Sequence, residues 1–365
     1  MNKPIRIMLC DDSALMRRLI KTAIETDPKC KVTWEAKNGR DALEQLKSSQ
    51  PDVLVLDVEM PVMDGIDATR AIRREGYDLP IIMFSSLTSR GAEATLDAVA
   101  AGANDFATKP SRSGHIEQAI YHVQQELIPR IHRWAMRHAG VAPADDVVPP
   151  EKSTTVDSQP VESSTTPPQR ISAVAIGVST GGPQALSAFM NHVSPDIQVP
   201  ILIVQHMPPV FTALLAERLT AQSGHTVKEA SHGQEVGPGV CLVAPGDQHL
   251  TVERDLTSLR VRLSRDEPEN SCRPAVDPLF RSCAKCFGAE CLGVVLTGMG
   301  KDGLNGARAL KEKGARILCQ DESSSVVWGM PGNIARSGLA DRVLPIDQIA
   351  AEVNRVAGAK LTPIA

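Results

Sequence analysis

The sequence predicts two successive doubly wound α/β domains, each a parallel sheet with helices on both faces, joined by a flexible tether. Three observations carry that expectation. Residues 1–125 alternate short apolar runs with stretches of helical period. A tract rich in Pro, Ser, Thr and acidic residues follows, from Ala139 to Gln169. From Ile171 the apolar alternation resumes.

The elements follow in order. Ile5–Cys10, Lys31–Glu35, Val53–Asp57, Pro80–Phe84 and Asp105–Thr108 read as strands. In the first helical stretch Leu15, Met16, Leu19, Ile20, Ala23 and Ile24 form one apolar stripe, with Ser13 placed to cap it. Residues 116–138 hold a last helical pattern, expected to break near Pro129, because proline lacks the amide hydrogen a helix interior uses. The tract after it has almost no large apolar side chains to offset the entropy of ordering, so it reads as a flexible linker. In the second half Ile171–Ile176 is a strand and Pro183–Met190 begins a helix. Ile201–Val204, Cys241–Ala244, Thr251–Glu253, Val261–Leu263, Leu292–Leu296 and Arg316–Cys319 are further strands. The expected divisions are a domain over 1–125, a helix end and linker over 126–170, and a second domain over 171–365.

Composition narrows the classes. Hydrophobic residues make up 42% and charged residues 22%, enough for ordinary globular cores. A net charge of −4 argues against a nucleic-acid partner. No apolar run approaches the ~20 residues that span a bilayer, and MNKPIRIMLCDDS lacks a secretory pattern. A cytoplasmic protein without membrane insertion is expected, with its eight cysteines reduced. Cys283-x-x-Cys286, with Cys272 and Cys291 nearby, could be a zinc site. The helical spacing of Leu279, Phe280, Cys283 and Phe287 favours a core position instead.

Asp11 and Asp12 follow the first strand, and Asp57 ends the third. Open parallel sheets bind ligands beyond the carboxyl ends of their strands, so these three carboxylates should meet. Clustered carboxylates are costly without a cation, and an all-oxygen set suits Mg²⁺. Ser85 and Lys109 lie at the ends of the fourth and fifth strands and could hold phosphoryl oxygens. With DDS (Asp11–Ser13), LDVEMPVMDG (Leu56–Gly65), FSS (Phe84–Ser86) and TKP (Thr108–Pro110), the segment resembles the receiver domains of two-component response regulators. The resemblance implies a flavodoxin-like fold, Asp57 as phosphoacceptor with a histidine kinase as donor, and Mg²⁺ held by Asp11, Asp12 and Asp57. It also implies that Ser85 and Lys109 sense the phosphoryl group. Phe106 falls where that family often carries a switching aromatic, although a core role suits it equally.

In the second half, Gly177-x-Ser179-x-Gly181 follows a strand and opens a helix, as a nucleophile elbow does. A phosphate-binding loop, which would lack its usual lysine here, and an ordinary tight turn are the alternatives. His206 follows the strand Ile201–Val204 and is placed to act as a general base. Asp302, in the glycine-rich LTGMGKDG (Leu296–Gly303), could orient the imidazole. Asp247 and His249, in APGDQH (Ala244–His249), compete for these roles; His225 and His232 lie in polar surroundings with no strand before them. The order Ser, His, Asp differs from the Ser, Asp, His of α/β-hydrolases.

Taken together, GVSTGGP (Gly177–Pro183), QHMPP (Gln205–Pro209), APGDQH, RPAVDPLF (Arg273–Phe280), LTGMGKDG and WGMPG (Trp328–Gly332) resemble the catalytic domain of the chemotaxis protein-glutamate methylesterases, the CheB family. The resemblance implies a Rossmann-like domain with Ser179 as nucleophile, His206 as base, Asp302 as orienter and the Met299 N–H serving the oxyanion. It implies demethylation of glutamate methyl esters and deamidation of glutamines on methyl-accepting chemotaxis receptors, without a cofactor for the hydrolysis. It also implies activation when Asp57 is phosphorylated. The linker is long for the family. Two rival readings are a response regulator whose second half only binds a partner or DNA, and a hydrolase of small-molecule esters.

Overall fold

The computed structural model describes residues 3–110, 116–140, 170–256 and 258–358; the linker tract from 141 to 169 lies outside them. The chain divides into two compact units, Met1–Ala144 and Asp145–Ala365.

In the first unit five strands, β1 (Ile5–Cys10), β2 (Cys30–Ala36), β3 (Val53–Asp57), β4 (Ile81–Ser85) and β5 (Asp105–Thr108), form one parallel sheet in the order β2-β1-β3-β4-β5. Every residue of β3 and β4 is buried, as a parallel sheet covered on both faces requires. The helices are α1 (Ala14–Ile24), α2 (Gly39–Leu46), α3 (Gly65–Arg74), α4 (Ser89–Ala100) and α5 (Ile116–His138). Side chains of Ser13, Asn38, Asp64 and Thr88 accept from backbone N–H groups in the first turns of α1 to α4, satisfying donors a helix start leaves free. The chain runs outward from β1 to β2, then crosses to β3. The crevice where the order reverses therefore lies between the carboxyl ends of β1 and β3.

The expected break at Pro129 does not occur: α5 is one helix of 23 residues with that proline inside it. Proline removes one hydrogen bond, but the apolar stripe runs through it, with Val123, Leu127, Ile131 and Trp134 all buried. Polar ties fix the far half as well. The Trp134 indole N–H donates to Asp105 at 3.1 Å, and His132 Nε2 lies 2.5 Å from Asp27 Oδ2.

In the second unit seven strands form a parallel sheet in the order β14-β13-β12-β6-β7-β9-β8. They are β6 (Ala173–Val178), β7 (Ile201–Gln205), β8 (Val227–Glu229), β9 (Cys241–Val243), β12 (Cys291–Val295), β13 (Arg316–Gln320) and β14 (Arg342–Leu344). β10 (His249–Arg254) and β11 (Leu259–Ser264) pair apart as an antiparallel hairpin. The helices are α6 (Gly182–His192), α7 (Phe211–Ser223), α8 (Val276–Phe287), α9 (Leu304–Glu312), α10 (Met330–Arg336) and α11 (Ile346–Val356). From the central β6 the chain builds one side of the sheet through β7, β8 and β9, then crosses to β12 on the other. This second reversal lies between β6 and β12. Cys283 is fully buried on α8 among Leu279, Phe280 and Ala284, a core position. Among the described residues no helix is long and apolar enough to cross a membrane.

Candidate functional site

The first unit gathers its acids at the reversal. Asp11, just past β1, and Asp57, the last residue of β3, are buried, while Asp12 is exposed. One oxygen from each of the three lies within 4.8 Å of the others. Lys109, just past β5, puts its ammonium 2.8 Å from Asp11 Oδ2 and 2.7 Å from Asp57 Oδ2. Burial pushes the Asp57 carboxyl up to about 6; the Lys109 charge pulls it back and the Asp11 charge pushes it further up. Burial alone would lower Lys109, but Asp57 and Asp11 outweigh it and raise its pKa. Ser85 is buried, its hydroxyl accepting from Thr95 Oγ1 at 2.6 Å, and the Lys109 N–H donates to the Ser85 carbonyl at 2.7 Å. Phe106 is half-buried against the core beside the sheet. An all-carboxylate donor set with no nitrogen or sulfur is what a hard cation such as Mg²⁺ takes.

In the second unit β6 ends at Val178 and α6 begins at Gly182, leaving Ser179 in a tight turn. The Ser179 N–H donates to the Thr297 carbonyl at 3.0 Å, and the Gly182 N–H donates to the Ser179 carbonyl at 2.8 Å. Gly181 has φ +76°, a left-handed conformation that suits glycine. At Gly182 a Cβ would stand 1.8 Å from Gln205 Oε1. That buried carboxamide donates from Nε2 to the Ser179 carbonyl at 2.9 Å and to the His206 carbonyl at 3.2 Å, tying the elbow to the next strand end. Because Val178 pairs with Gln205, Ser179 and His206 leave neighbouring strands side by side.

His206 Nε2 lies 2.7 Å from Asp302 Oδ2. Asp302 is 2% exposed and accepts five hydrogen bonds: from His206, from the N–H groups of Val276, Asp277 and Gly303, and from the Asn270 carboxamide. Val276 and Asp277 open α8, so a helix N-terminus faces the carboxylate. Burial would raise the Asp302 carboxyl, but His206 and the backbone N–H groups hold it below the usual range. Burial would lower His206, yet the hydrogen bonds of its ring to Asp302 and then Cys272 prevail and raise it well above the ordinary histidine value. The other ring nitrogen, Nδ1, has Cys272 Sγ at 3.5 Å. Among the described residues no hydrogen bond joins Ser179 to the ring. Gly298 lies against Ser179: a Cβ there would come within 2.9 Å of the serine Cβ. Its carbonyl accepts from Gly329 and Met330, so the trans peptide turns the N–H of half-buried Met299 the other way.

The competing residues are engaged elsewhere. Asp247, with φ +63°, takes Arg273 at 2.6 and 3.0 Å. His249 is buried, accepting the Ala275 N–H at Nδ1 and donating from Nε2 to the Glu267 carbonyl. His225 is buried with Nε2 3.1 Å from the Val193 carbonyl, and exposed His232 accepts the Leu263 N–H. Sequence reasoning missed Gln205, Asn270, Cys272 and Asp277 as neighbours of this site. Gln205 heads QHMPP and Asp277 sits inside RPAVDPLF, so a signal existed for those two. Asn270 and Cys272 are separated from His206 by more than 60 residues of chain and carry none.

The sequence pattern of the CheB methylesterase family matches residues 174–353, and that of the response regulator receiver domain matches residues 7–121. A protein-glutamate methylesterase/protein-glutamine glutaminase of a Nocardioides species is 47% identical, over 96% of this chain and 95% of its own length. A relative of the same name from Trichodesmium erythraeum is 44% identical, over 97% and 99%. The crystal structure of the Thermotoga maritima CheB methylesterase catalytic domain is 40% identical, covers 51% of this chain and 98% of its own, and superposes with a TM-score of 0.50. With such similarity running from end to end, the chain belongs to the CheB family of methylesterases that carry a response regulator receiver domain.

Proposed function

We propose that this chain is a phosphorylation-activated serine hydrolase. It demethylates glutamate methyl esters and deamidates glutamines on methyl-accepting chemotaxis receptors, in the cytoplasm and without nucleic acid. The observation that carries the reading is the buried Asp302–His206 pair, 2.7 Å apart, beside the Ser179 elbow. Ser179 Oγ attacks the ester carbonyl while His206 Nδ1 takes its proton, and Asp302 stabilises the imidazolium so formed. The Met299 N–H and the start of α6 face the developing oxyanion. The ring returns the proton to the leaving group, methanol departs, and water activated by the same ring hydrolyses the acyl-serine. With glutamine as substrate the leaving group is ammonia. The hydrolysis draws on side chains and backbone alone.

In the receiver, residues 1–125, Asp57 accepts the phosphoryl group from a histidine kinase. Asp11, Asp12 and Asp57 would hold Mg²⁺, which when bound neutralises charge on the transferring phosphoryl group. Ser85 and Lys109 hold its oxygens. Residues 126–170 supply a helix end and the linker, and the catalytic domain begins at 171. The test is methanol release from methylated receptor membranes by the wild type and by Ser179→Ala. Loss of the nucleophile is expected to cost ~10⁴-fold or more. A folded variant that releases methanol at a near-normal rate overturns the reading.

A further inference from the structure

We infer that Asn270 is a positioning residue for the catalytic acid: one carboxamide nitrogen bridges Asp302 to a second buried carboxylate, Asp277, and so keeps Asp302 charged and aimed at His206. The inference rests on the Ser179–His206–Asp302 reading above.

Asn270 Nδ2 donates to Asp302 Oδ1 at 2.9 Å and to Asp277 Oδ2 at 3.0 Å. A primary amide has two N–H donors, so each carboxylate receives one. Both acids are almost wholly buried, at 2% and 1% exposure. Two carboxylates that share one nitrogen repel each other through a poorly screening interior. Burial raises the Asp277 carboxyl, and the nearby Asp302 charge pushes it in the same direction. The other Asp277 oxygen accepts the Gly306 N–H at 2.6 Å, which anchors it to α9. Asp277 therefore cannot swing away, and the amide between the two acids is what separates their charges.

The backbone is shaped to deliver that amide. Asn270 and Ser271 have φ of +52° and +62°, two successive left-handed residues without a glycine. Asparagine tolerates this region better than most side chains, but strain of this kind persists only where the surroundings impose it. Here Glu269 and Cys272 exchange backbone hydrogen bonds across the turn, and Arg281 grips the Glu269 carboxylate with both nitrogens. The same turn brings Cys272 to His206 Nδ1. One strap thus touches the acid and the base from outside the triad. Removing a hydrogen bond to a buried charged group is expected to change activity roughly 10–100-fold.

The test uses the full chain with Asn270→Gly, which keeps the left-handed backbone and removes only the amide. Demethylation is expected to show kcat lowered roughly 10–100-fold with KM little changed, because the loss falls on charge developing at His206. Adding Asp277→Asn removes the opposing charge and supplies a new N–H₂ beside Asp302. It is expected to restore at least about five-fold of the lost kcat, a rescue that a purely structural turn has no reason to show. Wild-type kcat in Asn270→Gly, or a double variant no faster than the single one, overturns the bridge. Ser179→Ala in the same assay separates the two readings: if it stays active the triad itself is wrong, whereas an inactive Ser179→Ala with a normal Asn270→Gly rejects the bridge alone.

Discussion

His206 presents Nε2 to Asp302 Oδ2 at 2.7 Å, which leaves Nδ1 as the nitrogen that can serve Ser179. A hydrogen on Nε2 satisfies the carboxylate, and the lone pair then lies on Nδ1. Since the ring pKa is raised, the charged ring is favoured at rest, and only the neutral ring can accept the serine proton. Activity is therefore low below that pKa and climbs as pH rises through it. The acid limb of kcat/KM is expected to have its midpoint above the ~6.5 of an ordinary histidine. Asp302→Asn should bring that midpoint down. A wild-type midpoint at or below the ordinary value contradicts the assignment.

Sequence spacing favours Asp302 as orienter but leaves Asp247 as a competitor, and the two differ in partner in the structure. Asp302 meets the imidazole, whereas Asp247 is half-exposed and meets the Arg273 guanidinium. Asp302→Asn is expected to lower kcat by ~10³–10⁴-fold, since an amide neither stabilises the imidazolium nor selects its tautomer. Asp247→Asn should cost only a few-fold. Steady-state demethylation by the two variants checks this, and the opposite ranking would move the site to APGDQH.

Gly182 is a packing requirement of the elbow. Its missing side chain makes room for the Gln205 carboxamide, which is itself tied to the carbonyls of Ser179 and His206. Gly182→Ala forces that carboxamide off both carbonyls or the turn off its strand end. Overpacking of this kind costs about 1–3 kcal/mol, and activity should fall more than stability because both catalytic loops shift. Denaturant melts alongside kinetics test it; an active, equally stable alanine variant rules the clamp out.

How much of this was legible in advance follows from physics. Long buried strands such as β1, β3 and β7 announce themselves as apolar runs. β8 and β14, three residues each, are too short to show a period. Pro129 is a local signal for a helix break that tertiary burial overrides. Ser179, His206 and Asp302 could be proposed because each directly follows a strand or lies in the loop after one. That His206 and Asp302 touch, 96 residues apart, follows only from the sheet order. The role of Asp247 was decided by an arginine 26 residues away, and Asn270 looked like any polar turn residue.

One ammonium, that of Lys109, bridges Asp11 and Asp57 and offsets one of their two charges. While it does so, it competes with any cation for the same carboxylates. Lys109→Ala leaves two buried acids without their counter-charge, so the variant should be less stable than the wild type in chelator. Mg²⁺ then has more charge to relieve and no ammonium to displace. Binding to the folded state alone stabilises it by mass action, so the Mg²⁺-induced rise in Tm should be at least about 3 °C larger in the variant. Small acyl phosphates with Mg²⁺ should still label Asp57 in Lys109→Ala, since the acceptor oxygen is intact, whereas Asp57→Asn should take no label. The labelled Lys109→Ala should show little of the rise in demethylation that phosphorylation gives the wild type, because the cation that holds the phosphoryl oxygens is gone. Equal Mg²⁺ shifts in variant and wild type would refute the competition. Full activation of the labelled variant would show that Lys109 neutralises the pocket without reading its phosphorylation.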